Sequence, residues 1–207
     1  LTWEQAAAEC SSCATRFASV DEIPLLVADR ISEPDAEREP QGLLHSLPPS
    51  LRGLAGRSRR FIRPSLVHRS AQKRALTSTF IASFPSGSTV LNVGAGGSLY
   101  EGNVVNLDIA PTPGIHVVGR AERLPFRAEA FDGIVFQAVL EHVENSDQAL
   151  KEILRVLRPG GALFLEVPFI QGYHPAPRDH RRYTEKGLAA ELEQHGFVVE
   201  ETGVAVG

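Results

Sequence analysis

The chain has 207 residues, 43% of them hydrophobic and 22% charged, which suits one α/β domain with an appendage and excludes a fibrous or disordered chain. No window approaches 18 uncharged apolar residues, and the opening LTWEQAAAEC has no basic segment followed by an apolar one. Neither a membrane span nor a signal peptide is therefore legible, and a cytoplasmic protein is expected.

The net charge of −4 is unevenly spread: residues 1–40 hold nine acidic and three basic side chains, whereas 41–100 hold eight Lys or Arg and no Asp or Glu. The basic stretch reads as a solvated linker and helix. A nucleic-acid partner is the alternative, disfavoured because no interleaved aromatics or nucleic-acid module accompany the charges. The chain has no Met and opens on Leu1, as a fragment would.

Three zones follow in order: an acidic head over 1–30, a Pro- and Arg-rich connector over 31–69, and an α/β zone over 70–207. The head carries Cys10 and Cys13, too few for a disulfide scaffold and spaced as in metal or redox sites. In the connector, Pro34, Pro40, Pro48, Pro49 and Pro64 break any long helix.

From residue 70, SAQKRALTSTFIASF predicts a helix capped by Ser70, with Leu76 and Phe80 on one face. TVLNV, NVVNLDI, IHVVG, FDGIVFQ and ALFLEVP predict five strands, rich in Val, Ile and Leu with little alternation, as parallel strands covered on both faces should be. Between the fourth and fifth, NSDQALKEILRVLRPGG predicts a helix capped at Asn145 or Ser146 and stopped by Pro-Gly-Gly. A helix from Thr184 to Gly196 and a sixth strand in FVVEETGVAVG close the chain. Alternating β and α elements with short loops predict a doubly wound, mostly parallel sheet of Rossmann-like type, with ligands outside the carboxyl ends of the strands.

Gly94, Gly96 and Gly97 follow the first of these strands, and Asp108 closes the second. The glycines permit close backbone approach to a ligand, and the carboxylate can accept hydrogen bonds from both hydroxyls of a ribose. A dinucleotide fingerprint fits poorly: Leu99 stands at the third glycine position, and the acid comes only twelve residues after Gly96 rather than about twenty after the motif.

A strand followed by Gly-x-Gly, an acid closing the next strand, then AERLPF, FDGIVFQAVLEHV and LRPGG in that order, resembles the class I S-adenosylmethionine-dependent methyltransferases. The likeness runs over about 70–207 and is nearest the small-molecule branch that includes quinone-biosynthesis enzymes. It implies a cofactor, S-adenosylmethionine, with Gly94, Ala95 and Gly96 against its methionine end, Asp108 on its ribose and Ile109 over one adenine face. It further implies Ala121 and Glu122 at the adenine edge, and Gln137 and Ala138 beside the methyl donor. For Ile109 and Ala138, cofactor contact and plain core packing weigh evenly.

Three departures accompany the likeness. Asn92 stands where an acid is usual, and Arg120 where an acid often binds the adenine amino group. Only about ten residues, 94–103, join the first two strands, too few for a full crossover helix. Some bacterial methyltransferase-like proteins are similar in pairing this short connection with QAVLEHV and QGYH, so the parallel assignment is kept with one turn at most expected. A non-catalytic binding or scaffold module is the alternative these departures carry.

For chemistry, VPFIQGYHPAPRDHRRYT concentrates polar groups after the fifth strand. His174 is expected as general base, an imidazole titrating near neutrality, with Asp179 and Tyr183 beside it and Arg181 and Arg182 holding an acidic substrate group. His142 reads as structural. The head resembles the second half of a zinc-ribbon-like domain of the tRNA-methyltransferase-activator type, with Glu22 replacing a turn glycine; two thiolates fill half a tetrahedral shell, so no bound metal is expected.

The expected activity is methyl transfer to a small-molecule or lipid-linked acceptor, with a tRNA or protein acceptor second. At least one more strand is expected after Gly207, leaving an unpaired sheet edge through which a homo-oligomer could form.

Overall fold

A computed structural model describes the backbone of residues 2–4, 7–9, 16–20 and 23–24, and residues 71–173 and 178–204, with side chains from Lys73 onward. In the head, four short strands, Thr2–Glu4 (β1), Ala7–Glu9 (β2), Arg16–Val20 (β3) and Ile23–Pro24 (β4), pair antiparallel in sequence order. Cys10, Cys13, Ser70 and the connector expected over 31–69 lie outside the described residues.

The main element order is Ala71–Ala82 (α1), Val90–Val93 (β5), Val104–Asp108 (β6), Val117–Val118 (β7), Phe131–Gln137 (β8), Ser146–Val156 (α2), Leu157–Glu166 (β9) and Glu185–Gln194 (α3). The last five strands form one sheet in the order β7-β6-β5-β8-β9, every pair parallel. The doubly wound parallel sheet read from the sequence is thus the fold.

The central strands are apolar throughout because both faces are covered. Toward one face, Leu91, Val93, Ile134 and Phe136 pack with Leu150, Ile153 and Val156 of α2 and Leu188 and Leu192 of α3. Toward the other, Val90, Val104 and Val135 meet Phe80 and Ile81 in the C-terminal half of α1 and Phe84 just beyond it. The ring of Phe84 occupies the space that a Cβ at Gly133 would need, so the glycine in mid-strand is a packing requirement.

Helix α2 begins as expected, with the Asn145 side chain accepting from Gln148 N at 3.0 Å. Its end differs. The helix stops at Val156, and Pro159-Gly160-Gly161 lies inside β9, where the pairing with β8 shifts register between Phe131 and Gly133. Gly160 has φ 75°, and a Cβ at Gly161 would strike the Asp132 carbonyl, so this pair builds a bulge in the strand instead of stopping the helix.

The sixth strand expected in FVVEETGVAVG is absent among the described residues: 197–204 carry no strand. Val198 and Val204 are exposed, and an apolar, β-branched segment becomes a strand only when a neighbour supplies ladder hydrogen bonds.

The connection over 94–103 is a turn without a helix, as the spacing predicts. A buried amide pair secures it. Asn92 and Asn106 face each other across the β5–β6 register, Asn92 Nδ2 donating to Asn106 Oδ1 at 3.0 Å and to the Ser98 carbonyl at 2.8 Å. Asn106 Nδ2 donates in turn to the carbonyl of Tyr100 at 2.8 Å. The chain thereby gains hydrogen bonds that a crossover helix would otherwise provide internally.

Candidate active site

Residues at the carboxyl ends of β5, β6, β8 and β9 line one cavity together with the glycine turn. Gly94 and Gly96 adopt φ 67° and 49°, a region costly for residues with a Cβ, and a Cβ on Gly94 would enter the Val139 side chain. Asp108 closes the turn: its Oδ2 accepts from Gly96 N at 2.8 Å and its Oδ1 from Ala110 N at 3.0 Å. Each carboxylate oxygen keeps a further lone pair, so two hydroxyls can still be bound.

Gly94, Ala95, Gly96, Asp108, Ile109, Ala121, Glu122, Gln137 and Ala138 all line this cavity. The segment holding Ala121 and Glu122 is fastened by α2, where Glu152 accepts from Leu124 N at 2.8 Å and Arg155 donates to the carbonyls of Leu124 and Phe126. The Arg155 guanidinium holds the Glu152 carboxyl below its usual range. Ala138 has φ 53°, a strained conformation for alanine, at the junction of β8 and the cavity.

Asn92 is missing from the lining. Its amide is engaged within the fold, donating to the Ser98 carbonyl and to Asn106 Oδ1. Arg120 lies at the cavity with its residue exposed to solvent.

The strap after β9 is tied to the corner following β8. His180 N donates to the Glu141 carbonyl at 2.9 Å, and His142 Nδ1 meets the Arg178 carbonyl. Arg181 donates to Ser146 Oγ and to the Glu144 carbonyl, and Arg182 grips both oxygens of Asp179. The two arginines expected to hold an acidic substrate group are therefore engaged in the strap's own packing, and neither they nor Asp179 line the cavity. Tyr183 does line it; its hydroxyl is buried beside Arg181 and Ser146, and burial pushes its pKa up. His174 lies outside the described residues.

Two carboxylates escaped the sequence reading. Glu141 is 2% exposed, its Oε2 has no partner among the described residues, and burial raises its pKa from the ordinary 4.5 to about 7. Its position in LEH, directly after an apolar strand, was the available signal. Glu166 ends β9 and receives both Lys73 Nζ of α1 and Gln137 Nε2 of β8. Among the described residues, no cluster of three or more His, Cys, Asp or Glu is placed to hold a metal ion, and no helix is long and apolar enough to cross a membrane.

Residues 91–165 match the family model described as a methyltransferase domain. The chain is 34% identical over 101 residues to a ubiquinone/menaquinone biosynthesis C-methyltransferase of Chromobacterium violaceum, covering 49% of this chain and 37% of that protein. It is 32% identical over 105 residues to a tRNA (carboxymethyluridine(34)-5-O)-methyltransferase of Arabidopsis thaliana, covering 42% and 26% respectively. The chain thus spans little more than a third of the length of the quinone relatives it matches. Among solved structures, a SAM-dependent methyltransferase from Thermotoga maritima superposes with a TM-score of 0.50 at 20% identity, over 72% of this chain and 80% of that one. Residues 91–165 thus match a methyltransferase-domain model, and the α/β part of this chain shares its fold with the superposed methyltransferase.

Proposed function

We propose that the protein is an S-adenosylmethionine-dependent methyltransferase acting on a small-molecule or lipid-linked acceptor. The observation that carries this is Asp108, fixed by two backbone N–H donors beside a glycine turn that a Cβ would fill. The residues present fit the cofactor: Asp108 would accept from its ribose hydroxyls, Ile109 would lie against the base, Glu122 would accept from the adenine edge, and Gly94 to Gly96 would admit the methionine end. When bound, the cofactor supplies a methyl group on a positively charged sulfur, ready for in-line displacement.

The chain's part is to align the acceptor, exclude water and take up a proton where the acceptor carries one. His174 is proposed as the proton acceptor on the strength of the sequence. Asp179 works through Arg182 as a positioning residue for the strap, and Tyr183 is proposed to seat the strap against the cavity. A second reading, tRNA as the acceptor, draws on the Arabidopsis relative and on the basic 41–100 stretch; salt-dependent RNA binding would favour it. The outer edge of β9 has no strand partner among the described residues, and a further strand or a second copy is proposed to pair there.

The test is isothermal titration with S-adenosylhomocysteine. Two hydrogen bonds to a charged carboxylate contribute about 1.5–3 kcal/mol each, so Asp108→Ala should weaken binding ~100-fold or more. Unaltered affinity would remove the ribose assignment. Absence of binding to the unaltered chain would bring the scaffold reading forward.

A further inference from the structure

We propose that Lys73, Gln137 and Glu166 form the acceptor-binding end of the cavity and select a hydroxyl carried on a flat apolar body. The inference rests on the methyltransferase reading and adds the class of acceptor to it.

The three residues come from α1, β8 and β9, and meet only in the folded chain. Glu166 Oε1 receives Lys73 Nζ, Glu166 Oε2 receives Gln137 Nε2, and all three side chains line the cavity. Next to them, Ala138 N donates to the Glu166 carbonyl at 2.8 Å, which places the trio beside the strand end assigned to the methyl donor. The side chains of Lys73 and Glu166 are 23% and 15% exposed, so a ligand can reach the pair although most of its hydration is gone. A pair in that setting adds little net stability, because desolvation offsets much of the attraction. Its position facing a cavity therefore points to recognition.

The chemistry of the pair specifies what it reads. A hydroxyl can donate to a remaining lone pair of Glu166 while accepting from the Lys73 ammonium, satisfying both charges at once. A carboxylate would be drawn to Lys73 but repelled by Glu166, which the ammonium already engages. An amine would be drawn to the acids and repelled by Lys73. The neighbouring cavity wall is apolar and partly aromatic, with Leu76 and Phe80 of α1 and Phe164 of β9. Phe80 and Phe164 lie with ring centroids 5.6 Å apart, a surface suited to a flat ring system.

The probe is 2-naphthol, titrated by its own fluorescence into the full chain with and without saturating S-adenosylhomocysteine. Binding is expected, with 2-naphthoate and 2-naphthylamine each at least about tenfold weaker. Glu166→Gln and Lys73→Met should each weaken 2-naphthol about tenfold while leaving S-adenosylhomocysteine affinity within about twofold. Lys73→Met alters only the first turns of α1, so it reads the pair even if the β9 substitution disturbs the sheet. The proposal is overturned if 2-naphthol does not bind, if both variants bind it as well as the unaltered chain, or if the carboxylate or amine binds equally well. Failure of the cofactor reading shows separately, as absent S-adenosylhomocysteine binding, and the titration without it still decides the acceptor site.

Discussion

Replacing Asn92 by Asp would restore the acid usual in the family this region resembles, yet the structure requires that it destabilise the protein. Asn92 is 3% exposed and Asn106 2%. The Asn92 amide donates to two acceptors, the Ser98 carbonyl and Asn106 Oδ1. An ionised Asp has no donor, so a buried carboxylate would face two oxygens. Turning the Asn106 amide around moves the deficit without removing it, because its Nδ2 already serves the carbonyls of Tyr100 and Gly114.

Two lost buried hydrogen bonds at about 1 kcal/mol each, plus an orphaned charged group at a few kcal/mol, give a cost of about 3–5 kcal/mol at pH 8. Asn92→Ala loses the bonds without adding the charge and should cost about 2 kcal/mol. Urea unfolding followed by circular dichroism measures both. The new carboxyl would have its folded pKa raised above its unfolded value of about 4, so the deficit should be smallest below pH 4 and grow as pH rises toward that folded value. If the Asn92→Asp variant were as stable at pH 8 as the unaltered chain, or more stable than Asn92→Ala, the amide-pair account would be refuted.

Glu141 provides a second pH signature. Its folded pKa of about 7 lies above the ordinary 4.5, so its contribution is fully present below about pH 4.5 and is lost as pH rises through 7. Glu141→Gln should remove that slope and gain up to about 3 kcal/mol relative to the unaltered chain at pH 8, read from denaturant midpoints across pH; parallel curves would contradict it. Gly94→Ala meets both a left-handed backbone and the Val139 side chain, and should lose about 1–3 kcal/mol of stability together with S-adenosylhomocysteine affinity. Adding Val139→Ala should restore part of the stability by clearing the space, and no recovery would place the whole cost in the backbone.

The strands and helices were legible because their signals act over a few residues. The β-branched runs VLNV and FDGIVFQ, the Asn145 cap and the glycines after β5 each specify local backbone, and their order along the chain specifies a parallel sheet with a site at its carboxyl ends. Gly94 and Asp108 could be collected from that order alone, since a residue ending a parallel strand must stand at that end of the sheet, whereas Glu122 and Gln137 came only with the family resemblance.

What only the tertiary structure decided is how the polar groups share space. Asn92 and Asn106 become partners through the β5–β6 register, Arg181 and Arg182 are used up by the strap, and Lys73 finds Glu166 across 93 positions. The Pro-Gly-Gly that resembled a helix stop became a bulge because the Asp132 carbonyl of β8 and the Leu157 side chain at the start of β9 crowd it, and 197–204 carry no strand among the described residues. Hydrophobic periodicity and turn chemistry are properties of a segment, whereas hydrogen-bond partnership depends on distances that exist only after the chain has closed on itself.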